Sequence, residues 1–250
     1  MSDIVRLDGF LGGRLTIAQS AHGFRAGHDT VLLAAAVPAE ASARVLELGS
    51  GAGVASLCLG SRVPGVHVLG IEIDPEEVAL ANQNAARNAM ENRVRFALGD
   101  ATATENLLTL RGSQGVPLEA FDHVFFNPPF HPPTGRPSPI PARARAMYDS
   151  GNALLHWTRT ALALTRPGGT VTAILRANRA GDMLIVKEGA VLFPLFPHAG
   201  EPPKRAIVQI VKGSTQPLRT AAGLVLHQAN GRNTEAAEAV LRHGAELRLV

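Results

Sequence analysis

From Arg44 onward, short β-forming runs alternate with helical patterns, and this alternation constrains the fold more than any other feature of the sequence. The segments "RVLEL", "VHVLGIEI", "RVRFALGD" and "FDHVFF" are short apolar runs, which are typical of buried strands. The helical pattern after the second run begins "DPEEV", with an N-cap aspartate and a proline at the first helical position. Strand–helix alternation predicts an α/β fold with a mostly parallel, doubly wound sheet. Ligands of such sheets bind at the carboxyl ends of the strands.

We interpret the chain as one domain with a core and two flanking elements. Residues 44–212 hold the alternating strands and helices. Residues 1–40 contain "DGFLGGRLTI", which is typical of a hairpin, and a short helix. Residues 213–250 include "NTEAAEAVLRHG", a capped helix, and leave open whether this tail packs on the core or reaches a partner. The 250 residues are enough to bury a sizeable core.

Further elements are predicted at both ends of the core. A helix is expected from about 29 to 37, with Asp29 as its cap or in its first turn and Pro38 as its stop. The later predictions are a helix at about 150–165, the turn "RPGG", the strand "TVTAILR", a helix near 178–187, and strands near 190–196 and 205–212.

Composition excludes several classes of protein. The single cysteine, Cys58, cannot form an internal disulfide, which indicates a reducing cytoplasm. The first ten residues are too polar for a secretory signal, and no apolar run approaches the roughly 18 residues of a membrane span. No Cys/His cluster has metal spacing, and no serine-hydrolase elbow is present. We therefore expect neither a membrane nor a metal partner.

The charge of the chain permits an anionic partner without requiring one. The formal net charge is +3, and lysine occurs only at positions 187, 204 and 212, so the basic side chains are mostly arginine. The planar guanidinium group suits phosphate recognition.

The stretch "VLELGSGAG" predicts a strand, a glycine loop and a helix. Gly49, Gly51 and Gly53 let the backbone turn tightly and approach a ligand, although a tight turn without a ligand would also explain them. A dinucleotide fingerprint would place glycine or alanine at position 54, which is a valine. The acid before the loop, Glu47, suits an ammonium group better than a pyrophosphate.

Two more acids end the following strands. Glu72 comes about 20 residues after the glycines, where a ribose-binding carboxylate belongs, although it could also be a neighbour of a helix cap. Asp100 ends the third strand in "LGDA" and could accept from an adenine amine or cap the next helix. Together with the glycine loop, these acids indicate a ligand with adenosine and amino-acid parts but no phosphate, which is S-adenosylmethionine.

The fourth strand ends in the corner "FFNPPF". Pro128 and Pro129 remove two backbone donors and fix φ at both positions, and they keep Asn127 out of the helical region. The result is a rigid corner that holds a polar amide next to an aromatic ring, Phe130. A strand-end turn with incidental prolines is the alternative, but the corner follows three strand-end acids in register.

The order and spacing of these motifs resemble the class I S-adenosylmethionine-dependent methyltransferases. The resemblance implies a Rossmann-like, seven-stranded sheet in which the glycine loop packs on the methionine part, Glu72 holds the ribose, and Asp100 and Ala101 lie at the adenine edge. An Asn-Pro-Pro-aromatic corner in that family resembles the signature of enzymes that methylate planar nitrogens. The Asn127 oxygen and the Pro128 carbonyl would accept the two N–H bonds, and Phe130 would stack on the base, which contributes about 1–3 kcal/mol.

Segments outside the core resemble the tRNA1(Val) adenine-N6-methyltransferase family. These are "GFRAGHDTVLLAA", "PLFPHAGEPPKRAIVQIVKG" and "NTEAAEAVL". The resemblance implies methylation of the exocyclic N6 amine of adenine in structured RNA, most of all tRNA. It places Asp29 near the ammonium group of the cofactor. Phe130 stands where many relatives carry tyrosine, and a proline-rich stretch follows it; both departures concern the substrate side.

The expected site residues fall into three groups. The cofactor group is Arg25, Gly27, Asp29, Glu47, Gly49, Gly51, Gly53, Glu72, Ile73, Asp100, Ala101 and Asn127. The catalytic group is Asn127, Pro128, Pro129 and Phe130. The substrate group is Phe130 with three arginines of the loop 131–147, namely Arg136, Arg143 and Arg145.

Other functions remain open at this point. A protein-glutamine methyltransferase could use the same corner, because a carboxamide also presents a planar NH2 group. Those enzymes usually carry an extra N-terminal helical domain, whereas only about 40 residues precede the glycine loop here, which disfavours this alternative. DNA adenine methylation is less favoured, since no target-recognition domain is visible. A non-catalytic, S-adenosylmethionine-binding partner of RNA is the distant alternative. The sequence does not give the target nucleotide, the RNA species or the oligomeric state.

Overall fold

A computed structural model describes residues 5–20, 25–104, 107, 121–128, 153–184 and 188–250. The strands are β1 Val5–Phe10, β2 Leu15–Ser20, β3 Arg44–Leu48, β4 His67–Glu72, β5 Val94–Leu98, β6 Phe121–Phe126, β7 Thr165–Arg176, β8 Ala190–Phe196, β9 Arg205–Val211, β10 Arg219–Thr220 and β11 Leu224–Val225. The α-helices are α1 His28–Ala36, α2 Val54–Arg62, α3 Pro75–Arg87, α4 Ala153–Leu164, α5 Ala180–Met183 and α6 Glu235–Leu241. Short 3-10 turns cover Leu11–Gly13 and Ala177–Arg179.

The central sheet has the strand order β10-β8-β9-β7-β6-β3-β4-β5, and β11 also pairs with β8. Strands β3 to β7 are mutually parallel, and β9 runs antiparallel between β7 and β8. The predicted mostly parallel α/β sheet is therefore confirmed. Strands β3 to β9 are the seven expected strands, and two-residue strands from the C-terminal tail, β10 and β11, extend the sheet along β8.

Helices cover both faces of the sheet. Apolar side chains of α1, α2, α3 and α6 pack in one buried layer with Phe125, Ile174 and Ile207 of the sheet. The opposite face packs against α4 and α5, with Trp157 and Phe126 in the second buried layer. This two-sided packing is the doubly wound arrangement that strand–helix alternation predicts.

The N-terminal segment forms the predicted hairpin, in which β1 pairs antiparallel with β2. Asn84 of α3 and Asn88, which caps the end of this helix, bind the other edge of β2. Asn84 Oδ1 accepts from Ala18 N at 2.8 Å and its Nδ2 donates to Ala18 O at 2.8 Å. Asn88 makes the same pair of bonds with Thr16, at 3.1 and 3.0 Å. These amides take the place of a neighbouring strand and cover an exposed sheet edge.

The C-terminal tail packs on the core, which is one of the two arrangements that its sequence left open. Leu247 N donates to Ala35 O of α1 at 2.9 Å, and Leu247 and Leu249 are buried. The Thr234 side chain caps α6 by accepting from Ala237 N at 3.1 Å, and it is one of the two cap residues, Asn233 and Thr234, that "NTEAAEAVL" offers. The Arg14 guanidinium donates to the His243 carbonyl, which joins the tail to the N-terminal segment.

Two local predictions differ from the structure. The helix expected near 178–187 is a 3-10 turn followed by the four-residue α5, and residues 185–187 lie outside the described part. The predicted turn "RPGG" is part of β7, because the register against β6 shifts between the pairs Phe121–Thr165 and His123–Thr170. Gly168 absorbs this irregularity with a φ of +74°, which glycine adopts without steric cost.

Candidate active site

The parallel strands bring four sequence motifs to one edge of the sheet. The carboxyl ends of β3, β4, β5 and β6 are neighbours, because these strands are adjacent and parallel. The glycine loop follows β3, Glu72 ends β4, Asp100 follows β5, and Asn127 follows β6. Motifs that are up to 80 residues apart in sequence therefore meet at one edge, where ligands of doubly wound sheets bind.

The glycine loop has two packed glycines and one open glycine. A Cβ added to Gly49 would lie 2.5 Å from the Trp157 indole, and one added to Gly53 would lie 2.5 Å from the Phe96 ring. Gly51 has a φ of +50°, and an added Cβ would meet no atom within 4 Å among the described residues. The open side of the loop is thus at Gly51, where its backbone can approach a ligand.

The Glu47 carboxylate lies under the loop, in contact with α2. Ser56 donates to it through its backbone N at 3.1 Å and its hydroxyl at 2.5 Å. The pKa of Glu47 is raised to about 8. Burial is the largest cause and the nearby Glu72 acts in the same direction, while the two hydrogen bonds from Ser56 lower the pKa. The predicted contact with a ligand ammonium group stays a prediction. The sequence gives little indication of this contact, since Ser56 stands out only as a serine in the first turn of α2 after the glycine loop.

Glu72 joins the end of β4 to the glycine loop. One carboxylate oxygen accepts from Gly51 N at 2.9 Å, and the other accepts from Ile73 N at 2.8 Å and Asp74 N at 3.0 Å. Three backbone donors therefore fix the carboxylate beside the open glycine. The half-buried side chain of Ile73 follows it directly.

Asp100 begins the turn after β5. Its Oδ1 accepts from Thr102 N at 2.8 Å and from Thr102 Oγ1 at 2.6 Å. These bonds close a local turn at Thr102, and the predicted contact with an adenine amine stays a prediction. Gly99 N donates to Glu72 O at 2.9 Å, which holds this turn against the end of β4, and Ala101 is buried beside it.

The corner after β6 holds a buried acceptor. Asn127 Oδ1 is buried and accepts no hydrogen bond from the described residues, while Pro128 is also buried. Buried polar atoms are nearly always paired, and an unpaired one in a native fold requires an explanation. A ligand that donates a hydrogen bond at this position would satisfy the oxygen. The predicted residues Pro129, Phe130, Arg136, Arg143 and Arg145 lie outside the described part of the chain.

The predicted cofactor residues before the core lie at the start of α1. Gly27 is the N-cap of this helix, and Asp29 lies in its first turn. Arg25 pairs with Asp8 at 2.8 Å, and Asp29 pairs with Arg205 at 2.7 Å. Both charged side chains thus have partners within the protein, and their predicted roles at the cofactor stay predictions.

Sequence reasoning missed two residues that hold the site together. Trp157, the only tryptophan of the chain, packs under both the glycine loop and β6. Asn84 also donates from Nδ2 to Ala52 O of the glycine loop at 3.0 Å, in addition to its two bonds with β2. The pair of asparagines four residues apart in "NQNAARN" is the one sequence signal for this contact, since such residues share a helix face.

Comparison with known proteins identifies the family. The model of the methyltransferase small domain matches residues 25–154, which is more than half of the chain. The chain belongs to the methyltransferase small domain family. The matched segment runs from the start of α1 to the first residues of α4 and contains the glycine loop, Glu72, Asp100 and the Asn127 corner.

Two curated relatives and one solved structure are similar to this chain. A tRNA1(Val) (adenine(37)-N6)-methyltransferase of Porphyromonas gingivalis strain W83 is 32% identical over 67% of this chain and 64% of its own. A relative with the same description from Bacteroides fragilis strain YCH46 is 24% identical over 78% of this chain and 80% of its own. The chain therefore spans slightly less than two thirds of the more identical relative. The crystal structure of a "predicted O-methyltransferase" from Agrobacterium tumefaciens has a TM-score of 0.72 at 24% identity and covers 88% of this chain and 98% of its own, which shows the shared fold.

The described residues contain neither a candidate membrane span nor a candidate metal-binding group. No helix in the described ranges has the length and apolar character to cross a membrane. In the same part of the chain, no group of three or more His, Cys, Asp or Glu side chains could hold a metal ion.

Proposed function

We propose that this protein transfers a methyl group from S-adenosylmethionine to the exocyclic N6 amine of an adenine in structured RNA, with tRNA as the favoured substrate. The observation that carries the proposal is the buried Oδ1 of Asn127 at the end of β6, which accepts no hydrogen bond from the residues that the structure describes. It supplies a fixed acceptor for an N–H bond beside the strand ends that carry Glu72 and Asp100.

The residues around the glycine loop fit S-adenosylmethionine. The loop is open at Gly51, and the Glu72 carboxylate is fixed beside it by three backbone donors. The carboxylates of Glu72 and Asp100 suit a ligand that carries positive charge and no phosphate. When bound, this cofactor supplies an electrophilic methyl group on a sulfonium centre. Glu72 would hold the ribose, and Asp100 with Ala101 would lie at the adenine edge.

The corner after β6 orients the acceptor nitrogen. The lone pair of an exocyclic adenine amine is delocalised into the ring, so the nitrogen is a poor nucleophile. The Asn127 oxygen and the Pro128 carbonyl would accept its two N–H bonds and draw it toward tetrahedral geometry. As the N–C bond forms and the methyl–sulfur bond breaks, the nitrogen becomes cationic and loses a proton to water. The corner contributes fixed hydrogen-bond acceptors instead of a general base.

The relatives' descriptions support RNA as the substrate. Both curated relatives are described as acting on adenine 37 of tRNA1(Val). Phe130 would stack on the target base, and the loop arginines Arg136, Arg143 and Arg145 would contact phosphates. We further infer that 1–250 works as one methyltransferase domain in the cytoplasm. Cys58 is buried, and burial raises the pKa of its thiol, so the protein has no exposed cysteine to oxidise among its described residues.

Labelling with tritiated S-adenosylmethionine tests the proposal. RNA and protein fractions from cells that lack this protein are incubated with the purified enzyme, and labelled nucleosides are separated. We expect label in tRNA as N6-methyladenosine. Label confined to protein would overturn the proposal in favour of a glutamine methyltransferase, and no label in either fraction would favour a non-catalytic role.

Asn127→Ala provides the matched control for this experiment. Loss of one preorganised transition-state contact lowers the rate by about 10²–10³-fold. We expect methyl transfer to fall by at least about 10²-fold, while the affinity for S-adenosylmethionine by calorimetry stays at the wild-type value. Loss of both together would show that Asn127 holds the cofactor or the structure of the site and does not act on the acceptor nitrogen alone.

A further inference from the structure

At the carboxyl edge of the sheet, the charged side chains on the two sides of β6, the strand that ends before Asn127, have opposite signs. Strands β3, β4 and β5 lie on one side of β6, and the carboxylates of Glu72 and Asp100 lie at the ends of β4 and β5. Strands β7 and β9 lie on the other side, and at the same edge they carry Arg176, Lys204 and Arg205. The acceptor corner therefore stands between an acidic half, which suits a cationic cofactor, and a basic half that the proposed cofactor site does not use.

Two arginines of the basic half face each other across neighbouring strands. Arg176 ends β7 and Arg205 begins β9, and the antiparallel register pairs these two residues directly. Facing side chains in such a pair have Cβ atoms about 4.5–5.5 Å apart, and like charges there are destabilising. The two side chains also lie on the same face of the sheet. Arg205 reaches Asp29 of α1 on that face. Arg176 comes two residues after Ile174, which packs in the same layer as α1, and residues two apart on a strand share a face.

Among the described residues, Asp29 is a carboxylate partner of one of these cations. Arg205 Nε is 2.7 Å from Asp29 Oδ2. Arg176 is half-buried, and its guanidinium makes no hydrogen bond or ion pair with the described residues; the exposed Lys204 ammonium likewise makes none with them. The backbone beneath them is held in place, because Ala177 N donates to Lys204 O at 3.2 Å. Arg176 and Lys204 are thus two cations on a fixed backbone that have no charge partner within the described part of the chain.

These cations lie close to the acceptor corner. Phe126 pairs with Ala173 in the parallel register of β6 and β7, so Asn127 is level with Ile174 and Arg176 lies two residues further along the neighbouring strand. From strand geometry, the Cα atoms of Asn127 and Arg176 are about 8 Å apart. A base that enters the corner must be turned out of its stack, so its own backbone stays at the rim of the site. Arg176 is at that rim.

We propose that Arg176, with Lys204 beside it, forms a phosphate subsite that holds the RNA backbone next to the methylated nucleotide. This inference rests on the proposed function. Phosphate is the fitting ligand because it carries charge at each nucleotide and matches the planar fork of a guanidinium group. The subsite would position the substrate, whereas Asn127 would contact the reacting nitrogen.

The test compares Arg176→Ala, Arg176→Lys and Lys204→Ala with Arg179→Ala. Arg179 is a matched control because it lies three residues away and its guanidinium is paired with Asp182. Binding of an unmodified tRNA1(Val) transcript is measured by fluorescence anisotropy over a series of salt concentrations, together with kcat, KM and the affinity for S-adenosylmethionine. Thermal melting confirms that each variant is folded.

For Arg176→Ala we expect KM for the transcript to rise about tenfold and the slope of log K against log salt to fall by about 1. Cofactor affinity should stay at the wild-type value, Arg176→Lys should recover part of the loss, and Lys204→Ala should reduce the slope as well. Arg179→Ala should behave as the wild type.

Two results would overturn the inference while leaving the proposed function intact. One is a wild-type enzyme that methylates the transcript and an Arg176→Ala variant with unchanged KM and salt slope. The other is an Arg176→Ala variant that loses affinity for S-adenosylmethionine but not for the transcript, which would make Arg176 a cofactor residue. A wild-type enzyme that labels protein and no RNA would instead refute the proposed function, and the RNA subsite with it.

Discussion

Trp157 packs edge-on against Phe126, with ring centroids 5.7 Å apart and an interplanar angle of 63°. The same indole occupies the space beside Gly49, where an added Cβ would lie 2.5 Å from it. Trp157 is only 8% exposed. One side chain of α4 thus supports both the glycine loop and the strand that ends at Asn127, so the relative position of the two proposed binding elements depends on it.

Replacing Trp157 should therefore affect stability and activity together. Removal of a buried aromatic side chain leaves a cavity and costs about 3–5 kcal/mol. We expect Trp157→Ala to lower the free energy of unfolding in urea by that amount and to reduce kcat, because the loop and β6 lose their common support. Trp157→Phe should lose less of both. An alanine variant with wild-type kcat under conditions where it is folded would contradict the supporting role.

Gly51 and Gly53 should respond differently to alanine substitution. Both have positive φ, which costs a residue with a Cβ about 1–2 kcal/mol, but only at Gly53 would the Cβ clash with Phe96. We expect Gly53→Ala to be the more destabilising change in urea unfolding. Gly51→Ala should fold with a small loss of stability and bind S-adenosylmethionine more weakly by calorimetry, since its methyl group enters the open side of the loop. Wild-type affinity in Gly51→Ala would place the cofactor elsewhere.

Glu72→Gln should weaken cofactor binding. An amide has one acceptor oxygen in place of two, so it cannot accept from Gly51, Ile73 and Asp74 and also bind ribose hydroxyls. A hydrogen bond to a charged group contributes about 1.5–3 kcal/mol, so we expect the Kd for S-adenosylmethionine to rise at least about tenfold. Glu76→Gln, on the exposed side of α3, is the control. Equal affinities of the two variants would refute the ribose assignment.

Glu47 should make stability depend on pH. Its pKa is raised from 4.5 to about 8 in the folded protein, so the folded state binds this proton more tightly than the unfolded chain does. The stabilisation is fully present below about pH 4.5 and is lost as the pH rises toward 8, by up to about 1.4 kcal/mol per pH unit. We expect the stability of the wild type relative to Glu47→Gln to fall across that window and to level off above it. Parallel stability curves for the two proteins would show that Glu47 does not titrate there.

Sequence patterns predicted the helices and strands whose ends are marked by nearby residues, such as a helix cap or a proline. Asp74 and Pro75 marked the start of α3, and the Asn127 corner marked the end of β6, because capping and φ restriction act within a few residues. The Ser56 bonds to Glu47, the Trp157 contact with Gly49 and the pairing of Arg176 with Arg205 depend on strand order and register. Those contacts join residues that are 9 to 108 positions apart, so no local pattern encodes them.

The two bonds of Asn84 to different parts of the chain have a dynamic consequence. Its Nδ2 donates to Ala18 O of the N-terminal hairpin at 2.8 Å and to Ala52 O of the glycine loop at 3.0 Å. When the hairpin separates from α3, the amide that steadies the loop loses its anchoring partners as well. The hairpin and the glycine loop are therefore expected to open together, as one cooperative unit. If ligand binding protects the loop from hydrogen exchange, we expect the amide of Ala18 to be protected as well.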